Sequence, residues 1–215
     1  KSIRLLEVIP PVISIFLISM PFWGAFFFPV ALSYFIIFFN MYWLYKSLNL
    51  AVCALIASRK IKAAEKEDWL LKASSLVNFG KVNHLIIIPT YKEGVEKIRE
   101  TIESFTHQTF PLKRLFIFVA FEKRENDASE KARILKAEFE DTFALLNFTF
   151  HPDLPHEVKG KSSNQAYAAR EANKILIEKM GINEDFLTVS SVDADCIFDR
   201  QFLSYLTYCF ISSNN

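Results

Sequence analysis

From Val8 to Tyr45 the chain has no charged residue, and apolar side chains would point from every face of a helix drawn through it. About 20 apolar residues cross a bilayer as a helix, so the run is long enough for two crossings. Pro21 and Pro29 bracket Phe22-Trp23-Gly24-Ala25-Phe26-Phe27-Phe28, rich in the aromatics that favour a membrane interface. The pattern predicts a transmembrane hairpin over residues 1–52, one helix from about Val8 into the low 20s and another from Pro29 to near Leu50. Asn40, polar within this run, is expected to bond a neighbouring helix, and Lys46 to reach the headgroups. From Leu48 the apolar positions thin to helical spacing (Leu48, Ala51, Val52, Leu55, Ile56), and charge enters with Arg59-Lys60-Ile61-Lys62. Residues 53–82 therefore read as an amphipathic helix on the membrane face or as a solvated helical linker.

At residue 83 the period changes. Leu85-Ile86-Ile87-Ile88 is an unbroken aliphatic run, the mark of a strand buried on both faces, and it stops at Pro89. Val95 to His107 follows with Ile98, Ile102 and Phe105 at helical spacing, then a strand over Leu115–Ala120. A charged amphipathic helix is expected over Asp127–Leu146, a third strand at Phe148–Phe150, a helix over Ser162–Met180 and a fourth, buried strand from Phe186 to Val192. Alternating strands and helices imply an α/β domain with a mainly parallel sheet, whose strand ends line the site.

Charge and composition narrow the class. With 25 basic and 24 acidic residues the net charge is +1, which gives no reason to expect nucleic acid. Lys1 and Arg4 flank one end of the apolar run and Lys46, Arg59, Lys60 and Lys62 the other, so the positive-inside rule puts both ends, and the α/β domain, in the cytoplasm of a multi-pass membrane protein. A cleaved signal peptide would have a shorter apolar core and a small-residue cleavage site. Cys53, Cys196 and Cys209 form no metal-ligand spacing and read as reduced thiols. Asn147-Phe148-Thr149 is a glycosylation sequon by pattern only, given that side of the membrane.

Candidate chemistry collects at the strand ends. Asp193 and Asp195 stand beyond the fourth strand, and residues i and i+2 of an extended chain point the same way, so both carboxylates can converge on one hard divalent cation. Alone, the tripeptide is equally an acidic cap in solvent. Pro89, Thr90, Tyr91 and Glu93 follow the first strand, where an aromatic face and a carboxylate suit a nucleobase and its donors. Glu122 follows the second strand, in a charged segment that also reads as a solvated loop. Lys161 follows Gly160 and opens a helix that Ser162 or Ser163 can cap; it faces a diphosphate there or is a plain surface lysine. His107, His151 and His156 flank no acid pair and are not read as catalytic.

Four motifs in order, Ile87-Ile88-Pro89-Thr90-Tyr91-Lys92-Glu93, Gln108-Thr109-Phe110-Pro111, Gly160-Lys161-Ser162-Ser163-Asn164 and Val192-Asp193-Ala194-Asp195, resemble the family-two inverting glycosyltransferases of GT-A fold. The membrane-embedded branch, similar to cellulose and hyaluronan synthases and related polysaccharide or lipid-linked sugar transferases, comes closest. The resemblance implies a nucleotide-sugar donor of UDP type, a glycan or lipid-linked acceptor, and Mg²⁺ or Mn²⁺. Pro89, Thr90, Tyr91 and Glu93 would hold the base and ribose, Lys161 the diphosphate, Asp195 the metal, and Asp193 the metal or ribose. Many relatives end the second strand in Asp-Asp-Gly-Ser; this chain has Phe121-Glu122-Lys123-Arg124 instead, and Glu122 would take the base-binding place. The family's catalytic base and a Gln-x-x-Arg-Trp element come later, so residues 83–215 are expected to be the N-terminal part of the transferase domain, inactive alone, with the base beyond Asn215. A nucleotidyltransferase, or a non-catalytic membrane scaffold keeping a decayed transferase domain, are the alternatives.

Overall fold

The computed structural model describes residues 2–153, 157 and 160–213, so Lys1, His156 and the two terminal asparagines lie outside the described residues. The chain divides into two compact units, Lys1–Glu67 and Asp68–Asn215.

In the first unit, α1 (Ser2–Phe27) and α2 (Pro29–Ala64) are separated by Phe28 alone. The Phe28 N–H donates to Gly24 O at 2.8 Å and its carbonyl accepts from Leu32 N at 2.9 Å, so helical bonding runs nearly unbroken through the joint. Pro29 opens α2, where a missing N–H costs nothing. A hairpin of two crossings is not shown: Leu6–Phe27 is the one span among the described residues that is long and apolar enough to cross a membrane. Tyr34, Asn40, Tyr42, Trp43, Tyr45 and Lys46 dilute α2, which continues past Leu50 through the segment expected to be a separate amphipathic helix. Polar side chains here are satisfied within their own helix. Ser14 and Ser33 donate to the carbonyls of Pro10 and Pro29, and Asn40 donates to Ile36 O at 2.8 Å rather than to a neighbouring helix.

The second unit opens with α3 (Trp69–Ser74), capped by Asp68, whose carboxylate accepts from Leu71 N at 3.0 Å. Four parallel strands follow, β1 (Asn83–Pro89), β2 (Leu115–Glu122), β3 (Leu145–His151) and β4 (Leu187–Ser191), in the order β3-β2-β1-β4. The helices are α4 (Val95–Thr106), α5 (Ala128–Phe139), α6 (Lys161–Asn173, prolonged by a π-helical turn over Lys174–Lys179) and α7 (Phe202–Ser213).

Alternation along β1 and β2 builds two cores. Ile86, Ile88, Ile117, Val119 and Phe121 pack with Ile98, Ile102 and Phe105 of α4, Leu135 of α5 and Leu203 of α7. Leu85, Ile87, Phe116, Phe118 and Ala120 face the other way, onto Ala168, Ala172 and Leu176. The chain steps outward from β1 to β3 with α4 and α5 on one face, then returns to β4 with its connecting helix on the other. Right-handed crossovers travelling in opposite directions require this.

Two expectations are corrected and one element is added. The helix after β2 ends at Phe139, and Leu145 and Leu146 belong to β3, because a turn at residues 140–144 closes on β2 with Ala144 N donating to Leu115 O at 3.0 Å. The strand leading to the acid pair is at the sheet edge and only half covered, with Val189 58% exposed, not a buried core strand. Residues 202–213, not assigned from the sequence, form α7, which packs Tyr205 and Tyr208 against Trp69 at ring-centroid distances of 4.5 and 5.2 Å.

Buried His84 at the start of β1 bridges Thr188 of β4 and Thr207 of α7 through its two ring nitrogens. Burial, and secondarily the charge of Arg114, lower its pKa from 6.5 to about 3.

Candidate functional site

The carboxyl ends of β1, β2 and β4 and the start of α6 enclose a cavity of about 390 Å³, lined by Pro89, Thr90, Tyr91, Glu93, Glu122, Arg124, Gly160, Lys161, Asn164, Asp193, Ala194 and Asp195. All eight residues singled out from the sequence are on this wall.

On the β1 side, Thr90 N donates to Ala120 O at 2.9 Å, which carries the parallel pairing one residue past the strand. The chain then folds on itself. Glu93 Oε2 accepts from the Thr90 hydroxyl at 2.8 Å and from the Tyr91 N–H, and Lys92 adopts a left-handed φ of 66° to let it do so. Tyr91 stands at the rim, 36% exposed, with the Arg124 guanidinium 4.2 Å and the Lys92 ammonium 5.1 Å from its ring centroid. Glu122, the last residue of β2, is 5% exposed and accepts from Arg124 Nε. That bond raises the arginine's pKa and keeps the guanidinium charged. One cation thus covers the aromatic ring and neutralises the buried carboxylate together.

On the far side, Gly160 at φ 157° and ψ −178° precedes α6 in a region that other residues avoid. The expected serine cap is not made. Gly160 itself is the cap residue, and Ser163 Oγ donates back to Gly160 O at 2.8 Å. Lys161 Nζ pairs with Asp193 Oδ1, both side chains being more than half exposed. Asn164, one turn into α6 and 1% exposed, donates to Ala120 O at 2.7 Å and Thr90 O at 3.5 Å, tying the ends of β1 and β2 together from below. Its Oδ1 has no partner among the described residues.

Past β4, Val192 N still donates to Ile87 O at 3.0 Å; the chain then turns, Cys196 N donating to Asp193 O at 3.3 Å. The two carboxylates meet through this turn, not through extended i, i+2 geometry. Ligand atoms of Asp193, Asp195 and Cys196 lie within 4.8 Å of one another. Two carboxylates at that spacing fit a hard divalent cation, with the Cys196 thiol a softer third donor.

Three contributors carry no distinctive sequence signal. Arg124 lies in a run of mixed charge, Asn164 is one polar residue among several after Gly160, and Cys196 gains a role only through the turn. His151 instead meets Glu157, its Nε2 2.9 Å from Oε2.

No protein-family model and no curated protein matches the sequence. Among solved structures, the chain is similar to the mannosyltransferase PcManGT from Pyrobaculum calidifontis, in complex with GDP-Man and Mn²⁺, with 19% identity and a TM-score of 0.45. The likeness covers 72% of this chain and 39% of that one, so this chain spans well under half of that protein's length.

Proposed function

We propose that the protein transfers a sugar from a nucleoside-diphosphate donor of UDP type, with inversion, to a glycan or lipid-linked acceptor, and that Leu6–Phe27 anchors it in a membrane. One observation carries the reading: groups suited to three separate tasks, a base-binding loop, a diphosphate-facing lysine and a metal-binding acid pair, line a single cavity at the ends of parallel strands. Its volume falls within the roughly 300–1,000 Å³ of small-molecule sites.

The chain's own residues divide the work. Tyr91 offers a π face to the base, and Glu122 an acceptor for base or ribose donors. Lys161, at the start of α6 where backbone N–H groups are free, exchanges its Asp193 partner for the diphosphate. Asp193 and Asp195 would hold Mg²⁺ or Mn²⁺, which as a Lewis acid stabilises the negative charge gathering on the leaving diphosphate. Inversion also requires a base on the acceptor hydroxyl, opposite the leaving group.

Calorimetry of UDP binding with and without Mn²⁺, on wild type and Asp195→Asn, tests the assignment. Wild type should bind UDP more tightly with Mn²⁺. Asp195→Asn should lose that dependence and, in the complete protein, depress transfer by orders of magnitude, on the scale of about 10²–10³ or more for a lost transition-state charge contact. Its thermal melt should not move, because the side chain is exposed. Metal-dependent UDP binding that survives in folded Asp195→Asn would put the cation elsewhere. Pyrophosphate release from a nucleoside triphosphate would mark a nucleotidyltransferase, and no nucleotide binding at all would leave a scaffold.

A further inference from the structure

Lys131 of α5 is nearly buried at 8% exposure and is absent from the cavity wall among the described residues. All three donors of an ammonium find partners nearby: Glu93 O at 2.7 Å, Glu125 Oε1 at 2.6 Å and Asp127 Oδ2 at 3.0 Å. Burial acts to lower its pKa, but the hydrogen bonds to Glu125 and Asp127 outweigh it and the pKa is raised, so the group is charged. A methionine or leucine would pack an apolar interface at lower cost than a buried ammonium, so the partners, and not the stem, explain a lysine here.

Glu125 and Asp127 come from the segment after β2, in the same stretch as Lys131. The Glu93 carbonyl comes from the other loop. Glu93 is also the residue whose carboxylate closes its own loop onto Thr90 and the Tyr91 N–H. A continuous chain of bonds therefore runs from α5 through Lys131 to Glu93 and on to the backbone of Tyr91. The two loops meet again at their rims, where Arg124 lies on the Tyr91 ring. No bond from Lys131 reaches Gly160, Lys161, Asp193 or Asp195 among the described residues.

We propose that Lys131 is a positioning residue for the nucleobase end of the cavity: it fixes the loop that presents Tyr91 and leaves the diphosphate end to other elements. The proposal rests on the nucleotide-binding reading above and adds a support for the Tyr91 loop from α5, beside the one that Asn164 of α6 gives to Thr90 O.

The test uses the full chain in detergent, with Lys131→Met, which keeps the stem, and Lys131→Arg, which restores the charge and donors. UDP and inorganic pyrophosphate are titrated separately, each with Mn²⁺. Lys131→Met should weaken UDP about 10- to 100-fold, the scale on which a displacement of about 1 Å is felt at a site. Pyrophosphate affinity should be unchanged, and Lys131→Arg should recover most of the UDP affinity. Equal losses for both ligands would reduce Lys131 to a general structural role and overturn the proposal, as would unchanged UDP binding. If Lys131→Met does not fold, Lys131→Gln keeps the buried site polar but is shorter and uncharged, so it cannot serve the Glu93 carbonyl and both carboxylates together. It should show the same selective loss, and undiminished UDP affinity there sinks the idea equally. A wild type that binds pyrophosphate but not UDP overturns the nucleotide reading itself, whatever the variants do.

Discussion

Phenylalanine occupies opposite environments in the two units. Phe26 of α1 is 86% exposed and α2 buries no side chain, whereas Phe105, Phe118 and Phe121 of the sheet unit are fully buried. Both units satisfy their backbones internally, one with helices and the other with a parallel sheet, so the difference lies in where apolar surface goes. In the sheet unit, alternation sends it to two cores, each covered by helices. In Leu6–Phe27 most of it stays outward, more apolar surface than a monomer in water ordinarily exposes, as the membrane anchor proposed above would. Abundance of apolar residues does not separate the two cases; their period does.

The same substitution made in each unit should break the symmetry most sharply. Ile117→Asp puts a carboxylate among fully buried neighbours and should cost about 4 kcal/mol or more, enough to unfold the sheet unit. Ile18→Asp, at a position 73% exposed, should leave the melt of the sheet unit unchanged and instead weaken membrane retention, by about 2.5–3.5 kcal/mol near a bilayer centre. Thermal melts in detergent and carbonate extraction read the two outcomes. Equal behaviour of the pair would dissolve the contrast.

Acid should come next in size. Unfolded His84 takes a proton near pH 6.5, while burial, followed by Arg114, holds the folded imidazole neutral down to about 3. Between those values the unfolded state carries the extra proton. Stability is therefore full above pH 6.5 and falls as pH drops toward 3, at about 1.4 kcal/mol per pH unit for one such group. Urea midpoints across this window should show the decline and His84→Gln should flatten it, while the helical signal of Leu6–Phe27, where Glu7 is the sole ionisable side chain, stays constant. A wild-type midpoint that does not fall on acidification would contradict the buried neutral imidazole.

The smallest effect concerns an aromatic that neither core takes up. Tyr91→Ala should weaken UDP by about 1–3 kcal/mol, the scale of base–aromatic stacking, with no shift in melting. Unchanged UDP affinity in calorimetry would make Tyr91 an ordinary rim residue.

What the sequence revealed follows from what is periodic. Ile86 to Ile88 and Leu115 to Ala120 are runs that only a buried parallel strand accommodates, so β1 and β2 were readable with their loops, and Pro89 announced the first stop. Leu145 and Leu146 were misread as the end of a helix because two leucines suit either period; what decides for the strand is the bond from Ala144 to Leu115, a contact across 29 residues of chain. Val189 looked like a core residue because burial was inferred from composition, but edge position depends on strand order, which no local pattern encodes. At the site, residue types with evident chemistry, Tyr91, Lys161, Asp193 and Asp195, stood out before the fold was known. Arg124 and Lys131 did not, since a charge matters there only for what it touches: a ring in one case, the carbonyl of Glu93 in the other.

The position of β4 bears on how the sheet unit behaves while folding. Among the described residues no strand pairs with its outer edge, and a bare edge is one that a second chain can pair with as readily as a native strand. The strand limits that hazard by being five residues long and by placing Thr188, Ser190 and Ser191 beside its two apolar residues. Parallel pairing of β4 with β1 also joins residues about 100 positions apart, so it forms late, after β1 and β2 have already collected their core. Until it does, β1 is itself an edge, four consecutive aliphatic residues long, and yield on refolding should depend on protein concentration more than on final stability.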